Sequence, residues 1–196
     1  MDKLQKCALA YQTLLNTIYH LKLYSKGKII NLDLSFKKEN FYHLIGLEKL
    51  KDLQKTRGKP EKIFDKIIRG DITYEDIAKS VFFLEMSSRL DYFHTLEYIL
   101  DNDYLTVALN QKKCFGRISA DYVIYIKNNN YYIHYFIVKD ITDNTYYGMT
   151  FFDRTNDDYI VNRQKFTVIY KEKITTNSKQ ILINKQKKAE MTIKKE

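Results

Sequence analysis

Residues 122–138 read Tyr122-Val123-Ile124-Tyr125-Ile126-Lys127-Asn128-Asn129-Asn130-Tyr131-Tyr132-Ile133-His134-Tyr135-Phe136-Ile137-Val138, and this stretch decides the fold class. Tyr122, Ile124 and Ile126 alternate with Val123 and Tyr125, the period of two that a strand imposes. Lys127 to Asn130 supply a polar hairpin turn, and a second strand returns from Tyr131 to Val138. That second strand is apolar on both alternations, so it is expected in the middle of a sheet, covered on both faces and by helices on one of them. Working downstream, Asp140 to Asn144 form a turn, Thr145 to Asp153 a third strand, and Phe166 to Lys171 a fourth. The second half therefore reads as an antiparallel meander of about four strands.

Upstream the period changes to that of a helix. Leu4, Cys7, Ala8, Tyr11, Leu14, Leu15, Ile18 and Leu21 recur at steps of three and four, which predicts an amphipathic helix over residues 2–22 closed by Lys26-Gly27-Lys28. Ile29, Leu32, Leu34 and Phe36 make a short strand-like run, and Lys37 to Leu47 a short helix that Gly46 can close in the left-handed conformation. Pro60 opens a helix carrying Ile63, Phe64, Ile67 and Ile68 that Gly70 stops. Thr73 with Asp76 forms a capping box before Ile77 and Val81, both expected inward, and a stripe from Phe83 through Met86, Leu90, Phe93, Leu96 and Leu100 predicts one further helix. The fold class is α+β, with N-terminal amphipathic helices packed on a C-terminal sheet.

At 196 residues, with 44% hydrophobic and 14% aromatic residues, the chain can bury a single core without disulfides. Cys7 and Cys114 have no second ligand at metal-binding spacing and read as small buried hydrophobes. The N-terminus lacks the apolar core of a signal peptide and nowhere do 18 apolar residues run together, so a cytoplasmic protein with no membrane partner is expected. The net charge is +9, of which Lys171 to Glu196 carry +5, leaving +4 for the first 170 residues. The expected division is a domain over 1–173 and a basic tail over 174–196, the tail being a solvated end or a contact for polyanions.

No phosphate-cradling glycine loop, nucleophile elbow or zinc-protease motif occurs, and no cofactor is expected. Proton transfer near neutrality points first to the four histidines. His20, near the end of the first helix, and His94, beside Phe93, read as structural. His134 is either a core residue or projects into a cleft over the sheet. His43 stands before a glycine turn in the apolar frame Phe41-Tyr42-His43-Leu44-Ile45-Gly46-Leu47. Arg117, after Phe115-Gly116, and Arg154, at the end of the third strand, are placed to grip a phosphate or to pair with Asp121, Asp153 or Asp157. Thr150, Phe152 and Arg154 share one face of a regular strand.

The segments Phe41 to Leu47, Ser88-Arg89-Leu90-Asp91-Tyr92-Phe93 and Tyr147-Gly148-Met149-Thr150-Phe151-Phe152-Asp153-Arg154 resemble those of the fourth group of phage-associated nucleases related to Barnase, EndoU, colicin and RelE, the BECR class. The resemblance spans residues 29 to about 173. It implies metal-independent RNA cleavage by attack of a ribose 2′-hydroxyl on the adjacent phosphate, in a toxin-like protein of a phage or mobile element. His43 matches the histidine of the Phe-x-His-Leu-x-Gly motif, and Thr150 and Arg154 match polar positions of the late strand. Arg117 joins them on the residue reading alone. RNA, and an antitoxin or immunity protein, are the implied partners. The competing reading is a non-catalytic nucleic-acid or protein binding module of a mobile element. Convergence of His43, Thr150 and Arg154 in one cleft separates the two.

Overall fold

A computed structural model describes residues 1–104, 106–108, 118–128 and 130–186. Among these, six α-helices and eight strands alternate in an order that the helical and strand periods only partly foretell. Helix α1, Lys3–Gln12, starts where the Asp2 side chain accepts from the Gln5 amide at 2.8 Å, and it buries Leu4, Cys7, Ala8 and Tyr11. Asn16 then takes a left-handed conformation, φ 65°, and the chain enters strand β1, Ile18–Ser25. The expected helix over 2–22 is thus ten residues long. Ile18 and Leu21 fit a helical stripe by number, yet from Thr17 onward burial alternates, with Tyr19, Leu21 and Leu23 inward. Lys26 and Gly27, both at positive φ, make the two-residue turn into β2, Lys28–Ser35, rather than ending a helix. His20, read as a helix-end residue, lies on β1 and pairs through Nδ1 with Asp33.

A helical layer follows. Helix α2, Lys38–Leu44, ends at Gly46, whose φ of 82° is the left-handed conformation expected. Helix α3, Pro60–Arg69, begins at the proline and stops at Gly70, also left-handed. Helix α4, Tyr74–Ala78, has the Thr73–Asp76 capping box, and Ile77 is buried while Val81 is exposed, against expectation. The single helix expected from Phe83 onward is instead a broken path: a 3-10 turn, Phe83–Glu85, precedes α5, Ser87–Tyr92, and another, Phe93–Thr95, separates it from α6, Leu96–Asp101. Met86, Leu90, Phe93, Leu96 and Leu100 are all buried even so, because one stripe of apolar contacts tolerates changes of winding.

The sheet runs through β3, Thr106–Ala108; β4, Tyr122–Asn128; β5, Tyr131–Lys139; β6, Tyr146–Arg154; β7, Lys165–Ile174; and β8, Lys179–Asn184. Its order is β1-β2-β6-β5-β4-β3-β7-β8, and β7 also pairs with β1, so seven strands close into a ring with β8 appended. The four expected strands are present, but β7 pairs with β3 and β1 instead of continuing the meander beside β6. Three factors account for the undercount: β1 was hidden in a helical stripe, β3 is short, and β8 fell in the basic segment. There Ile183 is buried and pairs with Lys171, so part of the segment read as a tail belongs to the sheet.

Strand β5 is central, between β4 and β6, as its two-sided apolar pattern requires. Ile133, Tyr135 and Ile137 face the core shared with the helices. On the other face Phe136 packs with Val123, Tyr125, Tyr159 and Ile160, the last two from the β6–β7 connection. Burying a large apolar side chain contributes about 1.5–3 kcal/mol, so this second core anchors that connection. Buried Lys171 donates from Nζ to Leu100 O at 2.7 Å and to Asn102 O, satisfying carbonyls at the end of α6, and burial lowers its pKa to about 8. No helix among the described residues is long and apolar enough to cross a membrane.

Candidate active site

Strand β6 runs beside β2 for only two pairs, Leu34 with Tyr146 and Ser35 with Tyr147. Beyond Tyr147 its free edge meets the end of α2 and the start of α5, which pack against it. A cleft of about 800 Å³ opens at this junction, and its walls include His43, Glu48, Arg89, Thr150, Phe152 and Arg154. Two conformational requirements shape it. Gly46 turns the chain after α2, and a Cβ there would stand 3.1 Å from Arg89 Cζ and Nη1. At Gly148 the strand bulges over Tyr135, whose hydroxyl would lie 2.4 Å from an added Cβ.

Arg89 is the centre of the arrangement. Only 7% exposed, it donates from Nη1 to His43 O at 3.1 Å, Leu44 O at 3.3 Å and Thr150 Oγ1 at 3.1 Å. One guanidinium thereby ties the end of α2 to β6. Its Cζ stands 5.7 Å from the Phe152 ring centre. Burial lowers its pKa, and Glu48 and Asp153 oppose that shift from a distance. No carboxylate lies within 4.0 Å of it among the described residues, and its Nε and Nη2 make no hydrogen bond there. The charge is already desolvated and two of its donor groups are uncommitted, as an anion-binding group requires.

Arg154 stands 5.6 Å from the Phe152 centre and 5.2 Å from that of Tyr159. It too has no ion-pair partner among the described residues, so the alternative of pairing with Asp121, Asp153 or Asp157 is not what the geometry holds. His43 projects from the last turn of α2, its side chain 53% exposed, with Nδ1 3.7 Å from Glu48 Oε2. The Tyr42 ring packs edge-on to the imidazole at 5.3 Å, and its hydroxyl is fixed to Thr56 O at 3.1 Å. Lys49 and Glu85 form a separate ion pair at 3.8 Å in the same cleft.

His43, Thr150 and Arg154 thus line one cleft, while Arg117 lies outside the described residues. His134 is not among the lining residues. It is fully buried beneath Phe152 and Tyr159, at ring distances of 5.7 Å to each, and its two nitrogens lack hydrogen-bond partners among the described residues. Burial, and then the charge of Arg154, lower its pKa to about 4, so it is a neutral core ring at pH 7. His94 is exposed on a 3-10 turn away from the cleft. Cys7 is buried, its thiol pushed up to about 12 by desolvation, and Cys114 is outside the described residues. No group of three acidic, histidine or cysteine side chains is placed to hold a metal among the described residues.

Residue reading missed Arg89 and Glu48. Arg89 was visible as a charge three residues after Met86 and one before Leu90, inside the buried arc of a helical stripe. Glu48 left no comparable mark, since its proximity to His43 depends on the Gly46 turn.

No match was found among curated proteins or among solved structures. A family model described as phage-Barnase-EndoU-ColicinE5/D-RelE like nuclease4 matches residues 3–188, a wider span than the motifs alone mark out, taking in α1, β1 and β8. With nearly the whole chain covered, the protein belongs to this phage-associated nuclease family, PBECR4.

Proposed function

We propose that the chain is a metal-independent endoribonuclease that cuts by attack of a ribose 2′-hydroxyl on the neighbouring phosphodiester. The observation that carries this reading is the presence of an exposed imidazole in one cleft with two guanidinium groups, Arg89 and Arg154, neither of which has a carboxylate within 4.0 Å among the described residues. In-line attack at phosphorus builds negative charge on the non-bridging oxygens, and preorganised cations at a partly dry wall lower the cost of that charge. Arg89 is held before substrate arrives, so it needs little reorganisation. Thr150, whose Oγ1 is already bound by Arg89, would donate its hydroxyl hydrogen to a phosphate oxygen.

His43 is the proton-transfer group, base or acid, in this scheme. The Glu48 carboxylate, 3.7 Å from Nδ1, stands beside the ring on the side away from Nε2 and can orient it. Phe152 and Tyr159 offer ring faces against which an unpaired base can stack, provided Arg154 swings from them toward phosphate. A toxin-like role in a phage or mobile element, with an inhibitor protein as partner, is the biological setting that fits such an activity.

The test is cleavage of mixed-sequence RNA in excess chelator by wild type, His43→Ala and Arg154→Ala, with folding of each variant verified. Loss of about 10²- to 10⁴-fold is expected for the histidine, and about 10²- to 10³-fold for the arginine. Undiminished cleavage by His43→Ala would remove it from the mechanism. Inactivity of the wild type on varied RNAs would favour the binding-module reading.

A further inference from the structure

A second cleft, about 570 Å³, is lined by Lys37, Glu39 and Asn40 at the start of α2 and by residues 138–141 at the end of β5. The two share Asn40, His43 and Tyr147, so they form one groove that passes through the proposed catalytic histidine. Asn40 stands at the junction and is only 7% exposed. Its Oδ1 accepts from the Lys37 amide at 3.0 Å, while the Asn40 amide returns a bond to Lys37 O, also 3.0 Å.

This pairing settles which way the side-chain amide faces. A backbone N–H needs an acceptor, and only the carbonyl oxygen of asparagine can serve. The Nδ2 group must therefore point away from the helix start. It donates to nothing among the described residues, and it is not sealed from solvent. A nearly buried amide with its donors fixed and unspent, at the point where two clefts meet, is a ready site for an oxygen.

The second cleft combines apolar walls with two lysines and the carboxylates of Glu39 and Asp140. Pro60, Val138 and Ile141 supply apolar walls, and the Tyr147 ring borders both clefts. Lys37 is held by Asp140 at 3.0 Å and Asp143 at 3.2 Å. Lys139, in contrast, makes no side-chain ion pair or hydrogen bond among the described residues and can meet a phosphate.

We propose that Asn40 is a substrate-binding residue whose Nδ2 donates to a phosphate oxygen at the junction, and that the second cleft receives the adjoining nucleotide of a single RNA strand. This rests on the endoribonuclease reading and deepens it: the substrate is an extended, unpaired strand with nucleotides on both sides of His43. A base-paired duplex keeps its bases stacked and paired, so it cannot place single nucleotides in two adjoining clefts.

The experiment uses the full chain with 2′-O-methyl oligonucleotides, which bind but lack the nucleophile, alongside cleavable RNA of matching lengths. Fluorescence anisotropy is expected to give tighter binding for a tetranucleotide than for a dinucleotide, and Lys139→Ala should abolish most of that gain. Asn40→Asp keeps the acceptor for the Lys37 amide but loses the donor; Asn40→Ala removes donor and acceptor without adding charge, and serves, with its folding verified, if the first variant misfolds. Each should weaken tetranucleotide binding about tenfold or more, the loss of one hydrogen bond to a charged group, and lower kcat/KM for cleavage alike. Unchanged binding and cleavage in both asparagine variants, with wild type active, would overturn the subsite and leave the nuclease reading intact. An inactive wild type would defeat the nuclease reading, and the anisotropy series would still decide whether Asn40 and Lys139 hold a strand.

Discussion

Replacing Arg89 by methionine tests the link between packing and chemistry, because one side chain serves both. Methionine matches much of the arginine stem in volume and can occupy the same path past Met86 and Phe152, but it donates nothing. Leu44 O and Thr150 Oγ1 lose the guanidinium, and so does His43 O, which keeps the Gly46 amide at 3.2 Å. Each buried acceptor left unpaired costs about 1–3 kcal/mol, and release of a desolvated cation offsets part of the total. A net loss of about 1–3 kcal/mol follows. For a domain of this size each kcal/mol moves Tm by about 2–4 °C, so a fall of roughly 2–12 °C is expected by calorimetry or circular dichroism. Cleavage should fall much further, by about 10²- to 10³-fold, measured well below the variant's Tm. Arg89→Lys keeps the charge and loses the fork, and should recover stability more than rate. An Arg89→Met protein with unchanged Tm and full activity would refute the reasoning at both ends.

Three other perturbations test the frame around the cleft. His134 has a pKa of about 4 in the fold against about 6.5 for an unfolded histidine. The unfolded chain therefore takes up a proton first as pH falls, so roughly 3 kcal/mol of stability present above pH 6.5 is lost by pH 4. His134→Phe should remove that part of the acid limb in urea titrations across pH and raise Tm at pH 7; an unaltered profile would show that the ring is not the titrating group. Gly148→Ala sets a Cβ against the buried Tyr135 ring and should cost about 1–3 kcal/mol or more, so a variant melting with wild type would mean the bulge shifts freely. Truncation after Asn177 removes β8 and uncovers Glu172 and the outer edge of β7, so Tm should fall clearly; an unmoved Tm would make the segment a solvated appendage.

Residues 122–154 were the most legible part of the chain, since β4, β5 and β6 are joined by short turns and each states its own period. The closure of the ring was not legible. Pairing of β7 with β1 joins residues about 150 apart, and nothing local in either strand marks its partner. The α1–β1 boundary was misplaced because Ile18 and Leu21 satisfy a helical spacing and a strand alternation at once, and only Asn16 in the left-handed conformation separates them. In the cleft, His43, Thr150 and Arg154 could be picked from type and position in a motif. Arg89, Glu48 and Asn40 acquire meaning only when α2, the Gly46 turn and β6 are set together, because their value lies in which partners they have and which donors remain free.

The chemistry turns on one atom of the substrate. An RNA strand and the same sequence carrying 2′-deoxyribose throughout, each incubated with the wild-type protein in excess chelator, differ only in the nucleophile that the proposed mechanism requires. The mechanism predicts cleavage of the RNA with cyclic phosphate ends, identified by mass spectrometry, and an intact deoxy strand. Comparable cutting of both strands, or RNA products bearing 5′-phosphate ends from the start, would contradict it.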